Sequence, residues 1–423
     1  MNRLITHYTV LSAIGIFGLT ACDKADSDQL GPGKDLILTA TELERAGNDN
    51  LFTFELFRTA TADLNSDENA LLSPLSISMA LAMTNSGAAG ETRKTIENVL
   101  KFGSLTTEEI NGYYQKLIAD LPALDPKTTL EIANSIWHHR DFSVFPDFKE
   151  INRAIYKAEV AALDFNDPNA SNVINDWVSN KTKEKIPTII DGPIPAAAVM
   201  YLINALYFKG AWEQRFDKAN TQKREFRRPD ASPLNTDFMQ IEHTFNISAT
   251  EDVEAIELPY GNKKYSMVVL KPRGERTPSQ VAEKLMETGT WNALISGFQP
   301  RKAQLALPKF KFSYENELKN ELTDMGMGIA FIRGLADFSG ISSEPLYINR
   351  VLHKTFVEVN EEGTEAAAVT AVEMNTYSSA PSVYPFLVDR PFLFAIREME
   401  TGLILFLGQV NDPSVEETES REF

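Results

Sequence analysis

Through the first half of the chain, apolar positions recur at three- and four-residue spacing. Through the second half they fall in short alternating or unbroken apolar runs. The first pattern predicts helices. One is expected at 48–63. The next is marked at both ends, with Ser73 as N-cap and Pro74 in the first turn; Ile77, Ala80, Leu81 and Thr84 form a stripe and Gly87 is the stop. Further helices are expected at 91–100, 107–121, 147–158 and 169–184, the last with Ile174, Trp177 and Val178 on one face. Strands are expected at 129–137, 200–208, 266–270, 303–312, 392–397 and 403–407. The run Leu403-Ile404-Leu405-Phe406-Leu407 has no polar alternation, which predicts a strand buried on both faces. Helices early and strands late read as an α+β fold with large antiparallel or mixed sheets.

The chain has 423 residues, 43% of them hydrophobic, enough for a substantial core. No repeat or low-complexity linker interrupts residues 40–412, which favours one large domain. The formal net charge of −18 argues against a surface for nucleic acid or heparin. Basic residues do not cluster in the stretch from Thr107 to Lys127 either. No enzyme motif stands out: there is no Gly-x-Ser-x-Gly, no His-Glu-x-x-His and no phosphate-binding loop. His138 and His139 are adjacent in a strand-like run, so they point to opposite faces, and no metal or cofactor is expected.

The N-terminus reads as a targeting segment, with Arg3 ahead of an apolar stretch over 10–20. Leu19-Thr20-Ala21-Cys22 resembles a bacterial lipobox. The resemblance implies a signal peptide over 1–21, cleavage before Cys22 and lipidation of that residue, the chain's sole cysteine. Residues 22–45 would then be the lipidated cysteine and a polar tether, 46–413 the folded domain and 414–423 an acidic tail. The expected location is the cell envelope, anchored to a membrane and either periplasmic or surface-exposed.

Residues 359–381 run Val-Asn-Glu-Glu-Gly-Thr-Glu-Ala-Ala-Ala-Val-Thr-Ala-Val-Glu-Met-Asn-Thr-Tyr-Ser-Ser-Ala-Pro. An alanine-rich run has helix propensity. Its side chains are also small enough to slide between two existing strands, and Thr364, Ala366, Ala368 and Thr370 alternate at strand period. From the residues alone, an exposed loop or short helix and an insertable strand both remain open.

Several separated segments, in order, resemble signatures of the serpin superfamily. They include Asn69-Ala70-Leu71-Leu72-Ser73-Pro74-Leu75-Ser76-Ile77, Gly87-Ala88-Ala89-Gly90-Glu91-Thr92, and Ile174-Asn175-Asp176-Trp177-Val178 with Thr182, Lys185 and Ile186. Most specific is Leu202-Ile203-Asn204-Ala205-Leu206-Tyr207-Phe208-Lys209-Gly210-Ala211-Trp212, followed by Phe216, Thr221 and Phe226. Glu257-Leu258-Pro259-Tyr260, Leu307-Pro308-Lys309-Phe310, Ala336-Asp337-Phe338-Ser339-Gly340 and Arg390-Pro391-Phe392 complete the series, which spans about residues 48–413. The resemblance implies three β-sheets, eight or nine helices and an exposed reactive-centre loop at about 361–385. It implies a protease inhibitor and not an enzyme. A target protease would cleave the loop, and the cut loop would insert into the main sheet and trap the acyl-enzyme.

By the same resemblance the hinge is Glu361, Glu362, Gly363, Thr364, Glu365, Ala366, Ala367, Ala368 and Thr370, with the scissile bond between Tyr377 and Ser378. A tyrosine before the cut points to chymotrypsin-like or subtilisin-like serine proteases, with a cysteine protease as a further partner class. Ser73, Asn204 and His353 are expected to form a hydrogen-bonded shutter. Trp212 would sit where insertion begins, and Lys309 would pair with Glu361 across the same opening. A monomer without heparin dependence is expected. The alternative implied by the same family is a non-inhibitory binding, carrier or surface protein.

Overall fold

The computed structural model describes residues 33–418 apart from 63, 66 and 365–382. Cys22, Glu365, Ala366, Ala367, Ala368, Thr370, Tyr377 and Ser378 lie outside the described residues, and with them the lipidation site, most of the hinge and the scissile bond.

Nine α-helices occur among the described residues. The strands, in chain order, are β1 (Ala70–Leu72), β2 (Thr128–His139), β3 (Glu159–Leu163), β4 (Met200–Ala211), β5 (Gln222–Arg227), β6 (Pro233–Ala249), β7 (Val253–Pro259) and β8 (Tyr265–Pro272). They continue with β9 (Gln299–Pro308), β10 (Phe310–Glu317), β11 (Leu352–Asn360), β12 (Gly363–Thr364), β13 (Tyr384–Leu387), β14 (Phe392–Glu398), β15 (Ile404–Val410) and β16 (Glu417–Thr418).

The expected α+β architecture is present, but hydrogen bonding joins the strands into two sheets. One has the order β16-β10-β11-β12-β4-β2-β3; the other runs β1-β15-β14-β8-β7-β6-β9-β13, with β5 also on β6. The third expected sheet is continuous with the second because β6 is 17 residues long and serves both halves. One end of β6 pairs with β5 and β9, the other with β7.

Local chemistry accounts for the helix boundaries. Thr39 and Glu42 form a reciprocal capping box at the start of Ala40–Ala60, as Thr106 and Glu109 do for Thr107–Asp120. The folded body therefore begins before residue 46: Leu36 is buried and the first helix starts at Ala40, so the expected tether is shorter at its C-terminal side. At the other end, Glu417–Thr418 pairs with the edge strand β10, so the acidic tail is not wholly free. Helix Pro74–Asn85 is buried nearly all round, as a helix apolar on every face must be. Ser73 precedes it but makes no side-chain cap; its hydroxyl donates instead to the Leu405 carbonyl at 3.0 Å. Gly87 follows it for a packing reason, since a Cβ there would lie 2.3 Å from Ile341 and 2.9 Å from Phe148.

The single strand expected at 303–312 is two strands in different sheets, β9 and β10. Pro308 cannot donate a ladder bond, and the chain crosses between sheets at Lys309, whose N–H donates to the Asp237 carbonyl. Every residue of β15 is buried, as the unbroken apolar run predicts. Helix Ala170–Lys181 lies against β2 and β4 with Ile174 and Val178 buried.

Candidate functional site: an opening in the seven-stranded sheet

The strands β4 and β11 are neighbours in space but, among the described residues, share no direct ladder. They are joined through the two residues of β12. Thr364 stands opposite Val359 of β11 and Gly210 of β4; Gly363 stands opposite Asn360 and Ala211. The start of the alanine-rich segment is thus already hydrogen-bonded into the sheet at one end of a gap.

That seat demands small residues. A Cβ on Gly363 would meet the Gly210 carbonyl oxygen at 2.1 Å and Cα of Ala211 at 2.7 Å, so only glycine passes here. Thr364 is 3% exposed. Its hydroxyl lies 2.6 Å from the Tyr260 hydroxyl, and Tyr260 stacks on Trp212 with ring centroids 4.5 Å apart. Burial pushes the Tyr260 phenol well up, so it stays a neutral hydrogen-bonding group. Below Thr364 is a cavity of about 20 Å³, bounded in part by Leu206, Phe208, Phe356 and Val357, room for about one water.

Trp212 holds the turn that leads into β12. Its backbone N–H donates to the Glu362 carbonyl and its indole N–H to the Asn360 carbonyl, both at 2.9 Å. Glu361 accepts from the Thr221 hydroxyl at 2.7 Å and pairs with Lys309 at 3.1 Å. Burial raises the Glu361 pKa, but the hydrogen bonds from Thr221 and Lys309 outweigh it and hold the carboxyl below the usual range. Glu362 pairs with Lys218 at 2.7 Å. Partly exposed pairs of this kind contribute about 0–1 kcal/mol each, so they bias the turn more than they lock it.

Farther along the gap the polar residues divide into two groups. The Ser73 N–H donates to Nε2 of His353 at 3.1 Å. Asn204 was expected beside His353, but it bonds the Ser76 hydroxyl and donates to Asn134 Oδ1 at 2.6 Å. The reason is geometric: Asn204 is on β4 and His353 on β11, the two sides of the unpaired interval. A cavity of about 490 Å³ at this end is lined by Ser76, Asn204 and His353 among others. The segment after helix Ala170–Lys181 spans the gap from above. Lys183 reaches Glu131 of β2 at 2.6 Å, and Lys185 lies over the Phe356 ring of β11 at 4.9 Å.

Burial pushes the His353 imidazole down to about 3, so it is neutral in the fold and accepts from Ser73. Because the folded pKa lies below the unfolded value of about 6.5, its stabilising contribution is complete above pH 6.5 and is lost as pH falls toward 3. At pH 4.5 this group alone should cost the wild type about 2–3 kcal/mol relative to neutral pH. Urea midpoints measured against pH should show the decline, and His353→Gln should lack that portion of it. Parallel profiles for the two proteins would contradict this assignment.

Residues that sequence reasoning left without a role include Tyr260, Thr221, Lys218, Ser76 and Asn134. Tyr260 and Thr221 fell within or beside matched segments, whereas Lys218, an ordinary surface lysine in the sequence, carried no signal.

Comparison with known proteins agrees with this geometry. The family model described as serpin (serine protease inhibitor) matches residues 47–413. The leukocyte elastase inhibitor of Equus caballus is 34% identical over 373 residues, covering 86% of this chain and 97% of that protein. The thermophilic serpin tengpin in its native state superimposes with a TM-score of 0.81 at 33% identity, over 90% of this chain and 96% of its own. Human thyroxine-binding globulin complexed with its hormone gives a TM-score of 0.81 at 28% identity, over 89% of this chain and all of that one.

Proposed function

This chain belongs to the serpin family, and we propose from that premise that it is a suicide-substrate inhibitor of serine proteases. The observation that carries the reading is the seat of Gly363 and Thr364, which already form the first rungs of a strand between β4 and β11. In the proposed reaction the protease serine attacks the Tyr377 carbonyl carbon. The peptide bond breaks, Ser378 leaves with a new amino group, and an ester joins Tyr377 to the protease. The freed segment then follows Thr364 into the gap, with main-chain hydrogen bonds to both neighbours, a form of strand addition. The tethered protease is carried along the sheet and its hydrolytic geometry is distorted, so the ester persists. The intact state is kinetically trapped. A tyrosine at the cut favours chymotrypsin-like or subtilisin-like targets. Acylation of Cys22 would hold the inhibitor at a bacterial membrane.

The test is a denaturing gel of the full chain after mixing with chymotrypsin, subtilisin, elastase, trypsin and a papain-like enzyme, with mass spectrometry of the products. A band that survives boiling at the summed mass is expected, with a released peptide beginning at Ser378. The mass of the intact chain reports Cys22 acylation in the same run. Cleavage without such a band across the panel would overturn the inhibitory reading. It would favour a binding role, to which the match with thyroxine-binding globulin and the cavity of about 490 Å³ both lend weight.

A further inference from the structure

Tyr384 opens β13 and pairs in parallel with Ala303 of β9. Beside it is a cleft of about 550 Å³, a volume within the range of small-molecule sites. The cleft shares no lining residue with the cavity below Thr364 or with the one beside His353. Its walls come from the end of β6, the starts of β7 and β9, and helix Thr290–Ser296. Ile247, Ala293 and Pro300 give it apolar surface, and Arg273 and Arg301 stand in the same wall.

Neither arginine meets a carboxylate among the described residues. Arg273 donates to the Thr250 carbonyl at 2.6 Å. Arg301 lies over the Tyr384 ring, with its guanidinium carbon 3.5 Å from the ring centroid, and makes no ion pair among the described residues. A guanidinium held by an aromatic face keeps its N–H donors for another acceptor. The acid in the wall, Glu254, is buried and already committed. It accepts from the Tyr384 hydroxyl and pairs with Lys271 at 2.7 Å. Asp252, just before β7, is held by Arg276 at 2.5 Å.

Arg273 and Arg301 are therefore uncompensated positive charge in a cleft with apolar walls, within a chain whose net charge is −18. What the wall lacks is an anion, and the apolar surface and the Tyr384 ring favour one with a hydrophobic body. The chain does not supply it from the residues that lead to Tyr384, since 374–382 contain no acid.

We propose that this cleft binds a small amphipathic anion, one acidic group on an aromatic body, with Arg273 and Arg301 on the acidic group and the rings against the apolar wall. Binding there does not require that the chain trap a protease.

The test is a fluorescence titration of the full chain with two probes, anilinonaphthalene sulfonate and phenylnaphthylamine, which has the same rings without the sulfonate. Wild type should bind the sulfonate at least about tenfold more tightly than the uncharged amine. Arg273→Gln/Arg301→Gln should lose that preference, and Arg273→Lys/Arg301→Lys, which keeps the charge, should retain most of it. Both side chains are exposed, so the variants should fold. A preference that survives the glutamine variant would place the dye elsewhere, the cavity of about 490 Å³ included, and would overturn the proposal. A wild type with no preference, as when the chain's own segment fills the cleft, would overturn it as well. So would a lysine variant that loses the preference as completely as the glutamine variant, because positive charge would then not be what selects the ligand.

Discussion

Thr364→Arg is expected to abolish stable complex formation while leaving cleavage of the loop intact. Thr364 is buried between β11 and β4, with its hydroxyl against Tyr260 and room for about one water beside it. A guanidinium far exceeds that space, and the carboxylate bordering the cavity, Glu358, is already shared with Lys185 at 3.9 Å. Overfilling a packed site and burying a poorly paired charge together cost several kcal/mol. A barrier raised by only about 3 kcal/mol slows insertion more than a hundredfold. Deacylation would then win the race, so the moles of inhibitor consumed per protease should rise at least tenfold. Thr364→Ser, which keeps the hydroxyl and the small volume, should behave as wild type. Measuring stoichiometry and loop cleavage in the same reaction checks this; an arginine variant that traps protease as efficiently as wild type would show that Thr364 does not lead the insertion.

The longer helices were legible because their signals are local. Capping residues, a proline in the first turn and a three-to-four spacing placed five of the nine within a few residues of their observed ends; the first starts eight residues earlier than expected, and Pro278–Leu285, Thr290–Ser296 and Lys319–Leu322, all short, were not expected. The apolar strands β14 and β15 were legible for the same reason. The segment β5 to β6 was not: β5 reads as a basic loop because it is exposed nearly throughout, and β6 mixes polar and apolar residues as it passes from one half of its sheet to the other. Nor does periodicity reveal that Pro308 and Lys309 divide a continuous apolar run between two sheets.

The site was legible in part. Order of motifs placed Trp212, Lys309 and His353 at the opening, and Lys309 does meet Glu361. The pairing of Asn204 with Ser76 rather than His353 depends on how far β4 and β11 stand apart, a tertiary quantity with no local signature. The alanine run is the clearest case. Local propensity favours helix, yet Gly363 and Thr364 pair as strand because two strand edges with unpaired backbone groups are available to them.

Those edges make a further expectation large. An inserted strand of about ten residues adds main-chain hydrogen bonds on both sides, each contributing ~0.5–1.5 kcal/mol net, on the order of 10 kcal/mol in all. For a domain of this size each kcal/mol moves the unfolding midpoint by roughly 1–2 °C. Thermal unfolding of the full chain should therefore be measured before and after a single cut within 365–382, with the cutting protease inactivated. The midpoint should rise by about 10–20 °C, and Thr364→Arg should show much less of that rise. An unchanged midpoint after the same cut in the wild type would mean that the gap between β4 and β11 does not receive the loop, and the inhibitory mechanism proposed for this chain would fail with it.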